Sequence, residues 1–338
     1  MNVGLIDVDG SRKFPNLPLM KISAFHKQCG DTVEWANPFE HYDLVYQTKV
    51  FDETYSRDIG WFVSSNRIIK GGTGYVRRRM VSGKSRLEFY VYDHWQDAAK
   101  YHGDEIFTEY LPDEIEHIYP DYELYPEPTK DTAYGFLTRG CPNRCGFCCV
   151  SSKEGCESRK VADLSEFWRG QKYIKLLDPN LLMCSQRIEL LNQLAESNAW
   201  IDFTQGLDIR AVNREVVEQI NRIKLKEIHF AWDIPTNDLV PRFRFYAENS
   251  VRRPHGNVAT VYVLTNFHST LEEDLYRIYT LRDMGYLPDV RVYDKPNAPK
   301  VIRDLQRWCN NRRIFKTTPR FEDYRSCKGE SNDNQSKA

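Results

Sequence analysis

The chain has 338 residues, and its 47 Lys and Arg against 48 Asp and Glu leave a formal net charge of −1. A hydrophobic fraction of 41% and a charged fraction of 28% are typical of a globular protein and exclude a disordered chain, a collagen-like fibre and a coiled coil. No run of about 18 apolar residues predicts a transmembrane helix, and the first residues lack a signal-peptide pattern. We therefore expect a cytoplasmic protein without a membrane association.

The first 110 residues predict a small α/β domain of Rossmann type. Three apolar segments predict buried strands, and a segment with helical spacing lies between the first two. The last of these strands runs into the glycine-rich turn Gly71–Gly74, whereas residues 77–110 show no clear periodicity. The strands are expected at Asn2–Val8, Leu44–Tyr46 and Arg67–Ile69, and the helix at Pro18–Cys29.

Residues 111–129 hold four prolines and many acidic residues, which predicts a linker. Strands and helices then alternate over residues 130–315, and this pattern predicts βαβ units in a parallel sheet. Six units are too few for a closed eight-fold barrel, so the expected fold is a (βα)6 partial TIM barrel. Residues 316–338 form a C-terminal extension whose polar end predicts disorder. The strands are expected at Ala133–Thr138, Tyr173–Leu177, Trp200–Thr204, Glu227–Trp232, Ala259–Leu264 and Val290–Tyr293, and one helix at the capping box Ser269–Glu272.

Four of the nine cysteines lie within nine residues: Cys141, Cys145, Cys148 and Cys149. The first three have the spacing C-x3-C-x2-C, in a loop that directly follows the first strand of the predicted barrel. Thiolates are soft ligands that select iron–sulfur clusters, zinc or copper(I). Zinc normally takes four protein ligands, whereas three cysteines fit a [4Fe–4S] cluster with one iron left open. A zinc site with a distant fourth ligand, such as Cys156, is the alternative.

This motif resembles the signature of the radical S-adenosylmethionine (SAM) superfamily, including the aromatic residue, Phe147, just before the third cysteine. The resemblance covers about residues 130–315. It implies that Cys141, Cys145 and Cys148 ligate the cluster, that Phe147 belongs to the cofactor site, and that the open iron chelates SAM. An electron from a reductant such as ferredoxin or flavodoxin then cleaves SAM to a 5′-deoxyadenosyl radical, which abstracts hydrogen from a substrate.

The resemblance also implies that SAM contacts lie at the ends of the later strands. Asp178 is a candidate for the SAM ammonium, with a turn or cap role as the alternative. Arg210 is a candidate for the SAM carboxylate through a bidentate pair, with a structural salt bridge as the alternative. Gln205 is expected to face the site, Asp233 to reach ribose or substrate, and Thr265 to end the fifth strand beside them.

The N-terminal domain resembles the cobalamin-binding domain of one subgroup of this superfamily. Domains that bind cobalt through histidine carry D-x-H-x-x-G, but the segment Asp7–Arg12 holds no histidine. Cobalamin is therefore a doubtful cofactor, and a domain that caps the barrel or recognises substrate is the alternative. His26, on the first helix, is expected to be partly exposed.

The expected function is that of a radical SAM enzyme with an unknown substrate, for which a macromolecule is favoured over a small molecule. A non-catalytic iron–sulfur protein, regulatory or electron-transferring, and a structural zinc module are the alternatives. Basic residues beside aromatic ones suit single-stranded nucleic acid, but the net charge does not support that partner, and solvated surfaces explain them as well. The remaining cysteines are expected to be ordinary small residues: Cys29, Cys149, Cys156, Cys184, Cys309 and Cys327.

Overall fold

The computed structural model describes residues 1–10, 14–51, 55–59, 62–75, 111–251 and 258–325, and the backbone alone of 77–80, 87–90 and 105–107. The chain forms two compact units, Met1–Ile228 and His229–Ala338. The predicted domain boundaries near residues 110, 130 and 316 stay predictions. The predicted disorder of the C-terminal end, and Cys327, lie outside the described residues.

The first sheet is parallel and five-stranded, in the order β2-β1-β4-β6-β9. Strand β1, which lies second in this order, is buried from Val3 to Ile6, as expected for a parallel strand covered on both faces. Helix α1 (Leu17–Gln28) packs Leu19 and Ile22 against this strand. The first nine strands are β1 (Asn2–Asp7), β2 (Thr32–Trp35), β3 (His41–Tyr42), β4 (Leu44–Thr48), β5 (Ser64–Ser65), β6 (Ile68–Gly71), β7 (Arg77–Met80), β8 (Leu87–Tyr90) and β9 (Glu105–Phe107).

The segment predicted as a linker, residues 111–129, is packed and partly helical. It contains the short helices α2 (Asp113–Glu116) and α3 (Pro126–Thr129). Ile115 is buried in the core beside α1, and the hydroxyl of Tyr125 donates to Asp7 Oδ2 at 2.7 Å. The prolines and acids suggested a loose connection, but these apolar side chains anchor the segment to the first sheet.

The second large sheet is parallel and six-stranded, and its strand order, β10-β13-β14-β15-β16-β17, follows the chain order. The six expected strands are present with shifted ends. An antiparallel pair that the sequence did not predict, β11 with β12, lies apart from this sheet. The strands are β10 (Thr132–Gly135), β11 (Thr138–Arg139), β12 (Arg159–Lys160), β13 (Tyr173–Leu176), β14 (Trp200–Leu207), β15 (Leu225–Ala231), β16 (Thr260–Thr265) and β17 (Leu287–Val292).

The helices between these strands begin and end at recognisable sequence signals. Pro241 lies in the first turn of its helix, as predicted. The predicted capping box is present one residue later than expected. The Thr270 hydroxyl accepts from the Glu273 N–H, and the Glu273 carboxylate accepts from the Thr270 N–H. The helices are α4 (Val150–Glu154), α5 (Arg187–Glu196), α6 (Arg214–Arg222), α7 (Val240–Asn249), α8 (Leu271–Asp283), α9 (Lys300–Asn310) and α10 (Arg312–Thr317).

Candidate functional site

The cysteine-rich loop is closed at its base. Strands β11 and β12 pair in register just before and after it. Between them the Cys141 N–H donates to Gly155 O at 3.1 Å, and the Gly140 N–H donates to Glu154 Oε2 at 3.1 Å. Glu154 also pairs with Arg139 at 3.2 Å. The loop is therefore held from both ends at the edge of the sheet where β10 finishes.

The backbone conformation requires a glycine at position 140, immediately before the first cysteine. Its φ is +84°, and a Cβ added there would lie 2.1 Å from the carbonyl oxygen of Glu157. Any side chain would therefore push apart the two strands of chain that meet at the base of the loop.

The thiols of the loop lie close enough to one another to affect each other's ionisation. Cys141, Cys145, Cys148 and Cys149 are all partly buried. Burial, and after it the neighbouring thiols of Cys149, Cys145 and Cys141, raise the pKa of the Cys148 thiol to about 12. The three motif cysteines belong to the described part of the chain. At least two of their Sγ atoms lie more than 4.8 Å apart. A tetrahedral zinc ion holds its sulfur ligands about 3.8 Å apart, whereas each cysteine of an iron–sulfur cluster binds a different iron.

Asp178 is fully engaged with the backbone that leads into the loop. The carboxylate accepts from Thr138 N at 2.6 Å, from Thr138 Oγ1 at 2.7 Å and from Leu137 N at 3.2 Å. Burial raises the pKa of Asp178 to about 6, although these hydrogen bonds oppose that shift. The structure shows Asp178 as a backbone cap, and a contact with the SAM ammonium stays a prediction.

Asn180, two residues further on, contacts a motif cysteine directly. Its Nδ2 lies 3.4 Å from Cys141 Sγ, and its main-chain carbonyl oxygen accepts from Ser158 Oγ at 2.8 Å. The side chain is buried. Sequence reasoning assigned no role to Asn180, although its position just after a strand end, at the same sheet edge as the loop, was a signal that could have found it.

Arg210 pairs with Asp208 and lies beside the cysteines. Its Nε and Nη2 donate to the two carboxylate oxygens of Asp208 at 2.8 and 2.6 Å, and Asn143 Nδ2 donates to the same carboxylate at 3.0 Å. The hydrogen bond to Asp208 raises the pKa of Arg210, and the nearby thiols of Cys145 and Cys141 add to this. The predicted salt-bridge alternative is therefore present, and Asn143 ties it to the loop.

An open pocket of about 440 Å³ lies next to this pair. Its polar side chains come from the cysteine loop, from the start of α5 and from the end of β14. The lining residues include Asn143, Leu182, Met183, Arg187, Asp208 and Arg210. A ligand here would meet two guanidinium groups beside the motif cysteines.

The other predicted SAM contacts are not among the described lining residues of this pocket. Phe147 is partly buried within the loop, and Gln205 is exposed near the end of β14. Asp233 and Thr265 belong to the second unit. Thr265 is fully buried, with Oγ1 3.5 Å from Arg291 O, and the Asp233 carbonyl accepts from the buried Arg277 at 3.1 Å.

In the N-terminal sheet, the carboxylate of Asp9 occupies the position where D-x-H-x-x-G would place histidine. It accepts from Val50 N at 2.5 Å and from Ser56 Oγ, so it holds the chain after β4. The expectation for His26 is wrong: the ring is buried, because Asp31 and Tyr46 satisfy its nitrogens at 2.7 and 3.1 Å.

No model of a known protein family matches this chain, and no curated protein matches it. None of the helices in the described part of the chain combines the length and apolar character that crossing a bilayer requires. Assignment of a function therefore depends on the cysteine loop and its surroundings.

Proposed function

We propose that this protein is a radical SAM enzyme that binds a [4Fe–4S] cluster through Cys141, Cys145 and Cys148. The observation that carries the proposal is the closed loop, which presents three soft ligands at the end of the first strand of a six-stranded parallel sheet. When bound and reduced, such a cluster supplies the electron that cleaves SAM to methionine and a 5′-deoxyadenosyl radical. Ferredoxin or flavodoxin is the class of reductant that we propose.

The residues around the loop suit a cluster better than a zinc ion. Three cysteines leave one iron of a cluster without a protein ligand, whereas a structural zinc ion takes four protein ligands. Asn180 donates toward Cys141 Sγ, and a hydrogen bond of this kind stabilises the negative charge on a ligating sulfur. The guanidinium of Arg210 adds a positive charge near Cys141 and Cys145.

The pocket lined by Arg187 and Arg210 is the site that we propose for the methionine part of SAM. Asn143 and Asp208 hold Arg210 in place, so that its guanidinium is oriented before a ligand arrives. An arginine guanidinium pairs with carboxylates through two parallel hydrogen bonds. The Asp208 carboxylate in the same pocket is an acceptor for an ammonium group.

The strand order supports the finer fold that we propose. Six parallel strands in chain order require crossovers of a single hand, which place the helices on one face and allow the sheet to curl into a (βα)6 partial barrel. We further propose that the N-terminal sheet is a Rossmann-like domain that recognises substrate. A macromolecular substrate stays a prediction.

One observation favours the second candidate, a non-catalytic iron–sulfur protein. Two predicted SAM contacts, Asp178 and Arg210, already bind protein groups: the backbone at Leu137 and Thr138 in one case and Asp208 in the other. A protein that only stores or transfers electrons needs the cysteines but no SAM contacts.

Anaerobic reconstitution with iron and sulfide, followed by reduction and addition of SAM, separates these functions. The proposed enzyme binds about four irons per chain and releases 5′-deoxyadenosine, and Cys145→Ala removes both properties. Cys156→Ala, an exposed cysteine outside the motif, is the matched control and retains both. Four irons without 5′-deoxyadenosine, and without a SAM-dependent change in the EPR signal of the cluster, would support the non-catalytic protein. One zinc and no iron would refute both.

A further inference from the structure

A cavity of about 180 Å³ lies in the first unit, and none of its described lining residues is a cysteine. Its position is the carboxyl edge of the five-stranded sheet, where β4 and β6 end. In open parallel sheets, ligands bind at this edge. The apolar wall comes from α1, from the two strands and from the segment before α2: Pro18, Ile22, Tyr46, Ile69, Leu111 and Ile115.

The size of the cavity limits what it can hold. An apolar cavity of about 150 Å³ accommodates a benzene ring, so this cavity of about 180 Å³ has room for a single ring. Its apolar wall favours an aromatic or aliphatic ring over a sugar, because burial of hydroxyl groups without partners is unfavourable.

Among the described residues that line the cavity, Lys153 is a cation for which the structure shows no ion pair. Lys153 Nζ donates to Thr73 Oγ1 at 2.9 Å, which is its one hydrogen bond among the described residues. Arg139, at the same mouth, is already paired with Glu116 and Glu154 at 3.4 and 3.2 Å. An anionic group at the mouth would therefore find its partner in Lys153.

The turn that presents Thr73 is fixed by its glycine. Gly72 has a φ of +108°, and a Cβ added there would lie 2.4 Å from Lys49 O. A backbone without side chains at Gly71 and Gly72 lets a ligand approach the mouth closely.

We propose that this cavity binds a small amphiphilic anion, with one apolar ring against Ile22 and Ile69 and a carboxylate or phosphate group on Lys153 and Thr73. Lys153 lies on α4, which directly follows the cysteine loop. The ligand therefore bridges the N-terminal sheet and the end of that loop, so its binding is coupled to the order of the loop. The proposal does not rest on the function proposed above, because none of the described lining residues is a proposed cluster ligand.

The probe is 4-fluorobenzoate, titrated into the full chain and followed by ¹⁹F NMR. We expect saturable binding, a loss of about tenfold or more in affinity for Lys153→Gln, and partial recovery for Lys153→Arg. Lys300→Gln, at an exposed lysine on α9, is the control and binds as the wild type does. 4-Fluorobenzamide, which has the same ring without the charge, and inorganic phosphate, which has the charge without the ring, should each bind more weakly.

A second variant, Ile69→Phe, fills the cavity and should abolish binding while Lys153 is unchanged. Equal affinity of Lys153→Gln and wild type, or of the amide and the acid, would overturn the proposal, as would the absence of saturable binding at millimolar concentration. Displacement of 4-fluorobenzoate by stoichiometric hydroxocobalamin would assign the site to a corrinoid instead. Far-UV circular dichroism of each variant confirms that it is folded.

Discussion

Asp178→Ala removes the acceptor on which the entry to the cysteine loop depends. In the wild type, one carboxylate satisfies the N–H groups of Leu137 and Thr138 and the Thr138 hydroxyl, and Asp178 is only 4% exposed. Alanine leaves these donors buried with no acceptor in place. The hydroxyl can rotate toward another group, but the two backbone N–H groups cannot.

The magnitude follows from the number of orphaned donors. A buried unsatisfied donor costs about 1–3 kcal/mol, so two backbone N–H groups give a loss of about 4 kcal/mol in the free energy of unfolding near pH 7. No discount for solvent screening applies at a buried site. We expect Asp178→Ala also to reduce the iron bound on reconstitution, because the chain between Leu137 and Cys141 loses its anchor.

The same carboxyl group predicts a pH dependence with a definite sign. Burial raises the pKa of Asp178 to about 6 in the folded protein, above the 3.8 of an exposed carboxyl group. The folded state therefore holds the proton more tightly than the unfolded chain, so this stabilisation is complete below about pH 4 and is lost as the pH rises through about 6. At about 1.4 kcal/mol per pKa unit, the change is about 3 kcal/mol.

Urea unfolding of the cluster-free wild type and of Asp178→Ala, at several pH values from 4 to 7, measures the loss in the free energy of unfolding and its dependence on pH. The other titrating groups are shared, so they cancel in the difference between the two proteins. The stability advantage of the wild type should shrink between pH 4 and pH 6. An advantage that grows over this range would refute the reasoning, because it would show that the hydrogen bonds outweigh burial and depress the pKa. A difference below about 1 kcal/mol in the free energy of unfolding at pH 7 would be well under the expected loss. It would refute the role of Asp178 as a cap of the Leu137 and Thr138 N–H groups.

Three further substitutions test the site and the second unit. Gly140→Ala should lower the iron bound on reconstitution without loss of the remaining fold, and full iron incorporation would contradict the steric reason. Asn180→Ala should lower the reduction potential of the reconstituted cluster in an EPR-monitored titration, since the hydrogen bond to Cys141 is lost; an unchanged potential would contradict that contact. Arg277→Met should cost about 3–5 kcal/mol in urea unfolding by leaving Asp274 buried and unpaired, and a loss under 1 kcal/mol would contradict it.

Local sequence signals predicted the elements well where the chain itself supplies the reason. The apolar spacing of Val216, Val217 and Ile220 predicted the buried face of α6, and Asn213 caps that helix. The capping box was placed one residue early, because Ser269 and Thr270 offer the same hydroxyl to the helix and only the three-dimensional structure selects one of them. Strand ends shifted for a similar reason, since pairing partners decide where a strand stops.

The chemistry available to this protein can be read from the sequence alone: three thiols at a fixed spacing, on a loop after an apolar strand. Tertiary structure decided how the surrounding side chains are used. Asp178 became a cap because residues 137–138, forty positions away, bring buried donors to it, and Asn180 became a neighbour of Cys141 for the same reason. His26 is buried because Asp31 and Tyr46 satisfy it. Hydrogen-bond partners that are distant in sequence decide whether a polar side chain faces solvent, a ligand or the protein. The spacing of residues along the chain does not predict which partners these are.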